Sequence, residues 1–131
     1  STDQATFASY SNVGPEICVV APSDGGVCGI FCTDVSYENR GFNLGTAGPG
    51  GRDGLNTLDF GGTPSATPLA AGVAALMLSA NPKLDVDAVK TILKDTAQKI
   101  GSGYDQNGHS TQFGHGRVNA ARAVARAKEL R

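Results

Sequence analysis

Phe60-Gly61-Gly62-Thr63-Pro64-Ser65-Ala66-Thr67-Pro68-Leu69-Ala70-Ala71-Gly72-Val73-Ala74-Ala75-Leu76-Met77-Leu78 is a glycine pair running into a long apolar segment of small residues that carries no charge. It predicts a buried helix over about 64–80 with a functional turn at its mouth. Gly61 and Gly62 permit a tight turn or a close backbone approach. Thr63 offers a capping hydroxyl, and Pro64 suits the first helical position, where an N–H has no partner inside the helix. Pro68 sits early enough to remove at most a first-turn hydrogen bond. Asn81-Pro82 ends the segment.

Around this stretch lies a chain of 131 residues, the size of one domain. Charged residues make up 18%, below the roughly 25% of globular chains. The 18 glycines are about twice the average usage of about 7%. A loop-rich, well-buried chain is expected. Eleven basic and twelve acidic residues leave a net charge of -1, spread along the sequence. That balance gives no electrostatic footprint for nucleic acid or an anionic membrane, so neither is expected as a partner. The apolar run 66–80 is too short, and too marked by glycine and proline, to suggest a bilayer span. Ser1-Thr2-Asp3-Gln4 carries no basic region leading into an apolar one, so no signal peptide is expected.

Upstream of the central stretch, Ala8-Ser9-Tyr10-Ser11-Asn12-Val13-Gly14-Pro15 is a turn cluster. Ile17-Cys18-Val19-Val20-Ala21, closed by Pro22, is an apolar run suited to a strand covered on both faces. Glu16 reads as a surface charge. Gly29 to Asp34 predicts a second strand, and Leu58-Asp59-Phe60 a short third one. Between them, Tyr37 to Thr57 is a long glycine-rich section that reads either as a surface insertion or as a substrate-edge loop. Cys18, Cys28 and Cys32 are odd in number and spaced for no zinc pattern; they are read either as buried thiols in strands or as one disulfide plus one thiol.

Downstream, Asp85 or Asp87 opens an amphipathic helix whose Val86, Val89, Ile92, Leu93, Ala97 and Ile100 fall near helical spacing, with Gly101 to Gly103 ending it. Asp105-Gln106-Asn107-Gly108 faintly echoes a calcium loop but lacks the later acidic ligands, which favours a plain turn. A last helix follows Val118-Asn119-Ala120, with Val118, Ala121, Val124 or Ala125 and further alanines on its apolar side and Arg122, Arg126 and Lys128 facing outward.

Three segments, in order, carry a resemblance. Gly62-Thr63-x-x-Ala66-x-Pro68-x-x-Ala71-Gly72 resembles the nucleophile-helix signature of subtilisin-like serine peptidases, Gly-Thr-Ser-x-Ala-x-Pro-x-x-Ala-Gly. Ala8-Ser9-x-Ser11-Asn12-x-Gly14 with the Ala21-Pro22 strand end resembles a segment that the family carries before that helix. Phe113-Gly114-His115-Gly116-Arg117-Val118-Asn119-Ala120 resembles the opening of its last helix. The resemblance implies an α/β fold, a mostly parallel sheet flanked by helices, of which residues 1–131 are the C-terminal portion and the N-terminal part is missing. It also implies a serine endopeptidase ancestry, polypeptide substrates and an extracellular or periplasmic setting. For an exported protein, a bridge between Cys28 and Cys32, or between Cys18 and Cys28, gains ground. No cofactor is expected within this chain, whereas calcium is possible in a complete family domain. The family often has an acidic cation ligand where Cys18 stands, so no cation site is carried over to Glu16.

One position breaks the match. The nucleophile slot holds Pro64, and the serine comes one residue later, at Ser65. Proline offers neither an attacking hydroxyl nor the backbone N–H that would be an oxyanion donor, leaving Gly62 and Thr63 as oxyanion and turn support. One step along a helix turns a side chain by about 100°, which aims Ser65 away from any base at that slot, so Ser65 is a substitute nucleophile only if the register shifts locally between Thr63 and Pro68. In this family the aspartate and histidine precede the serine, so both fall outside this chain. The oxyanion asparagine also belongs upstream, and Asn12 and Asn56 lie in the wrong segments to replace it. His109 and His115 follow the nucleophile turn and are read as packing or solvent-facing residues. The chain alone is therefore expected to be inactive, a fragment whose partners are the missing N-terminal part or a second copy. The alternative is a catalytically dead relative that binds peptides or serves assembly.

Overall fold

The computed structural model describes residues 1–24, 26–35 and 55–131. Most of the glycine-rich section read above, residues 37–54, lies outside the described residues. The elements run β1 (Ile30–Thr33), β2 (Asn56–Phe60), α1 (Thr63–Ala80), α2 (Val86–Thr96) and α3 (Ala120–Glu129).

The three helices make the core. Val73 and Met77 from α1, Ile92 and Leu93 from α2, and Ala123 and Ala127 from α3 form one buried cluster, backed by Val19, Leu84, Val89, Val118 and Val124. Met77, Ala123 and Ala127 are wholly inaccessible. The buried stripe of α3 is Ala123 and Ala127, four residues apart, with Val118 and Val124 packed against the cluster as expected, whereas Ala121 and Ala125 are exposed. Asn81 ends α1 as expected and also ties it to α3: its Nδ2 donates to the Ala127 carbonyl at 3.1 Å, and its Oδ1 accepts from the Lys83 N–H at 3.1 Å.

Helix α2 starts where the sequence places it, Asp85 accepting the Ala88 N–H at 2.7 Å. It stops sooner. Thr96 is its last residue, so Ala97 and Ile100 are not helical, and Val86 faces solvent. Gln98 leaves because the sheet claims it: its N–H and C=O both pair with Arg117 at 2.8 Å. Arg117 pairs in turn with Val20, so residues 18–20, 115–118 and 98 form a small ladder, parallel on one side and antiparallel on the other. Gly114, at a positive φ of 57°, lies against this ladder; a Cβ there would meet the Cys18 carbonyl oxygen at 2.4 Å. A second parallel bridge joins Thr2 to Ser23. Among the described residues the parallel part of the sheet is thus present as single bridges, and the longer pairing, β1 with β2, is antiparallel with a bulge between Ile30 and Cys32.

Helix α1 departs from expectation in two ways. Only Ser65, Val73 and Met77 of its residues are buried, while Leu69, Leu76 and Leu78 are exposed, so the apolar segment is not the enclosed helix its composition suggested. Its 18 residues, with a mean hydropathy of 1.2, also reach the length and composition of a membrane span, which the shorter 66–80 reading did not. In the fold its inner stripe packs on α3. Replacing Met77 by Ala empties the centre of the three-helix cluster; a loss of about 2–5 kcal/mol in urea unfolding is expected, and a loss below 1 kcal/mol would show that the cluster is not the core.

Candidate functional site

The turn before α1 is built on Gly62. Its φ of +80° is a left-handed conformation that suits glycine, and it, rather than Thr63, is the N-cap; no side chain caps the helix there. Thr63 is already helical, and its carbonyl accepts from the Thr67 hydroxyl at 3.0 Å. The missing side-chain cap is replaced by long-range partners. Gly62 N–H donates to Asp24 Oδ1 at 2.9 Å. Its carbonyl accepts from Ser23 Oγ at 2.7 Å and Ser65 Oγ at 2.8 Å, besides the Ser65 and Ala66 N–H groups.

Tyr10 closes the cluster by donating its phenol to Asp24 Oδ1. That bond, followed by the Gly62 N–H, holds the Asp24 carboxyl below the usual carboxylate range. Burial, and then the carboxylate, raise the Tyr10 phenol. Ser23 and Ser65 are each 1% exposed, and their hydroxyls lie 2.8 Å apart.

Pro64 is exposed on the first turn, with no hydroxyl and no N–H. Ser65, one step along the helix, is buried against Ser23 and the Gly62 carbonyl. The two histidines stand elsewhere: His109 Nε2 is 2.8 Å from the Ile17 carbonyl, and the His109 and His115 rings meet edge to face at 5.3 Å. Both are half-buried packing residues. Burial first, then His109, Lys94 and Lys99, lower the His115 pKa. The structure therefore does not bring Ser65 and a histidine together.

Asp105 accepts the N–H groups of Asn107 and His109 at 2.9 and 2.8 Å, as a turn-forming carboxylate does. Among the described residues no group of three or more His, Cys, Asp or Glu side chains is placed to hold a metal ion. Cys18, Cys28 and Cys32 are free thiols, and Cys28 is exposed rather than buried in a strand. The residues that sequence reasoning missed are Tyr10, Ser23 and Asp24, which lie 38 or more positions from the turn they support. No local pattern marks them.

With this geometry in view, the profile of the subtilase family matches residues 1–116. The chain belongs to the subtilase family. A calcium-dependent protease of a Nostoc species is 41% identical over 129 residues, covering 93% of this chain and 19% of that protein. A halolysin-like extracellular serine protease of Natrialba magadii is 38% identical over 119 residues, covering 91% of this chain and 17% of that protein. Among solved structures, a protease of Pseudoalteromonas arctica superposes with a TM-score of 0.65 at 31% identity, over 94% of this chain and 33% of its own. The fold is that of a partial subtilisin-like domain, and the chain spans less than a fifth of the two curated relatives described.

Two outcomes are expected. Ser23→Ala removes a buried donor to the Gly62 carbonyl and should cost about 1–2 kcal/mol in chemical denaturation; no change would mean that the turn does not depend on the Ser23 hydroxyl. In acid, stability should fall in two stages. His115, lowered in the fold, contributes fully above its unfolded value near ~6.5 and loses that contribution as pH drops below it; Asp24 does the same from about pH 4 downward. A His115→Gln variant whose pH–stability curve keeps the upper stage would contradict the first assignment.

Proposed function

We propose that this chain is the C-terminal part of a subtilisin-like serine endopeptidase domain that does not hydrolyse peptide bonds as it stands. The observation that carries the reading is the first turn of α1: an imino acid occupies the nucleophile slot, and the neighbouring hydroxyl, on Ser65, is sealed against Ser23 and Gly62. Acyl transfer needs an exposed hydroxyl beside an imidazole, a carboxylate to orient that imidazole, and donors for the oxyanion. Pro64 supplies neither hydroxyl nor donor, and neither His109 nor His115 approaches Ser65. Polypeptides are the substrate class of the ancestral reaction.

The word extracellular in the name of the Natrialba relative supports a setting outside the cytoplasm. Calcium, named for the Nostoc protease, belongs in this reading to the larger domain. The described residues offer no cluster for it, and Asp105 is engaged in its own turn. The alternative of a binding or assembly module has one observation in its favour, a cavity of about 270 Å³ beside α1.

A fluorophosphonate probe tests the reading. Neither the chain nor its Pro64→Ser variant should label alone. After reassembly with an upstream subtilase segment bearing the aspartate and histidine, only Pro64→Ser should label. Covalent labelling of Ser65 in the unaltered chain would overturn the inactive assignment.

A further inference from the structure

The loop 104–110 is a turn held largely by its own groups. Its Asp105 carboxylate accepts the Asn107 and His109 N–H groups, the Asp105 N–H donates to the His109 carbonyl at 2.8 Å, and the Gly108 N–H donates to the Asp105 carbonyl at 3.0 Å. Lys99 braces it from outside, its ammonium 4.3 Å from the centre of the Tyr104 ring and donating to the Gly108 carbonyl. What this unit holds beyond itself depends on one side chain. His109 Nε2 lies 2.8 Å from the Ile17 carbonyl, and a carbonyl can only accept, so Nε2 carries the proton of that bond. Ile17 ends the segment 14–17, which leads into the 18–20 ladder. Close by, the Gly14 N–H donates to the Thr111 carbonyl at 2.9 Å.

His115 stands against this contact. Its ring meets the His109 ring at 5.3 Å, and its backbone is fixed: the N–H donates to the Cys18 carbonyl at 2.8 Å, and Gly116 and Val118 are both bonded to Val20. The charged groups around the His115 ring are His109 and Asp105 from the loop, Lys94 from α2, and Lys99 from the stretch after α2. Glu16 and Cys18 lie on the neighbouring segment, and the Arg117 guanidinium is turned to Gln98. Burial, then His109, Lys94 and Lys99, disfavour the charged form of the His115 ring, and Asp105 offsets them in part. The arrangement as folded therefore prefers His115 neutral.

We propose that the His109 ring is an acid-released clasp: at neutral pH it ties the loop 104–110 to Ile17, and a proton taken up by His115 in mildly acidic solution opens it. Charging His109 by itself leaves the clasp closed, since the second proton goes to Nδ1 and Nε2 still donates. Charging His115 as well sets two cationic rings 5.3 Å apart, with Lys94 and Lys99 adding to the repulsion. The loop is the part that gives way. Residues 115–118 are held by backbone pairs to residues 18–20 and 98, whereas the loop reaches Ile17 through a side chain. His115 binds its proton more readily with the clasp open, so closure is fully favoured above pH ~6.5 and loses that preference as the pH falls below it. Asp105, held below the usual carboxylate range by the His109 N–H above all, stays ionised through this window and keeps the loop intact. The freed segment runs back towards Tyr10, whose phenol bonds Asp24.

Amide exchange in the full chain, corrected for the intrinsic pH dependence of exchange, tests this between about pH 7.5 and about pH 5.5. The Gly14 amide should lose protection about tenfold or more at the lower pH, while Leu93 and Ala123 in the helices keep theirs. His115→Gln, whose side chain takes up no proton, should keep Gly14 protected at both pH values. His109→Phe, which retains a ring without a donor, should expose Gly14 at both. The imidazole carbon shifts of the unaltered chain give a reading that needs no variant to fold: His115 should titrate below ~6.5, in step with the loss at Gly14. Gly14 staying protected at the lower pH in the unaltered chain overturns the proposal, as does an equal loss in His115→Gln. A loss shared by Leu93 and Ala123 also overturns it, because the whole chain would then be unfolding in acid.

Discussion

The packing of α3 on α1 is the constraint on which the remainder rests. Ala123 and Ala127 project nothing beyond Cβ, so the two helices approach closely, and Met77, unbranched and adaptable, fills the space between them with Val73. Asn81 then bonds the carbonyl of Ala127, so the end of α1 and the end of α3 are held by one buried amide. With those ends tied, α2 adds Ile92 and Leu93 to the cluster, and the chain beyond Thr96 turns back to pair Gln98 with Arg117.

The opposite end of α1 depends on a second device. Gly62 commits both of its backbone groups to partners from the segment before β1, its N–H to Asp24 and its carbonyl to Ser23. This replaces the hydroxyl cap that the sequence suggested for Thr63, and it explains why Ser65 is buried. Within a one-residue step, a helix sends Pro64 to solvent and Ser65 to the core. In the peptidase signature that the stretch resembles, the position of Pro64 belongs to the nucleophile. The retained turn and the lost hydroxyl are therefore separable: the turn is held by Tyr10, Ser23 and Asp24, none of which requires a serine at position 64.

One stripe of α1 is packed and its other faces are not. Leu69, Leu76 and Leu78 stand in solvent, and the parallel pairing is broken off at Val19 and Ala21. In a globular domain both features would be covered. They occur together on a chain that matches less than a fifth of the length of the two relatives described.

Read alone, the sequence determined the existence and starting points of the helices, the edges of β1 and β2 to within two residues, the family, and the misfit at Pro64. Each of these depends on neighbours in the chain: caps, breakers, apolar spacing, a motif with fixed gaps. It did not determine where α2 ends, which side of α3 is buried, or what holds Gly62. Gln98 leaves its helix for a strand 19 positions away, Ala123 is chosen over Ala121 by Met77, and Gly62 is bound by residues about 40 positions upstream. Tertiary structure alone decides such matters, because the free energy of each comes from a contact whose partner is near in space and far along the chain.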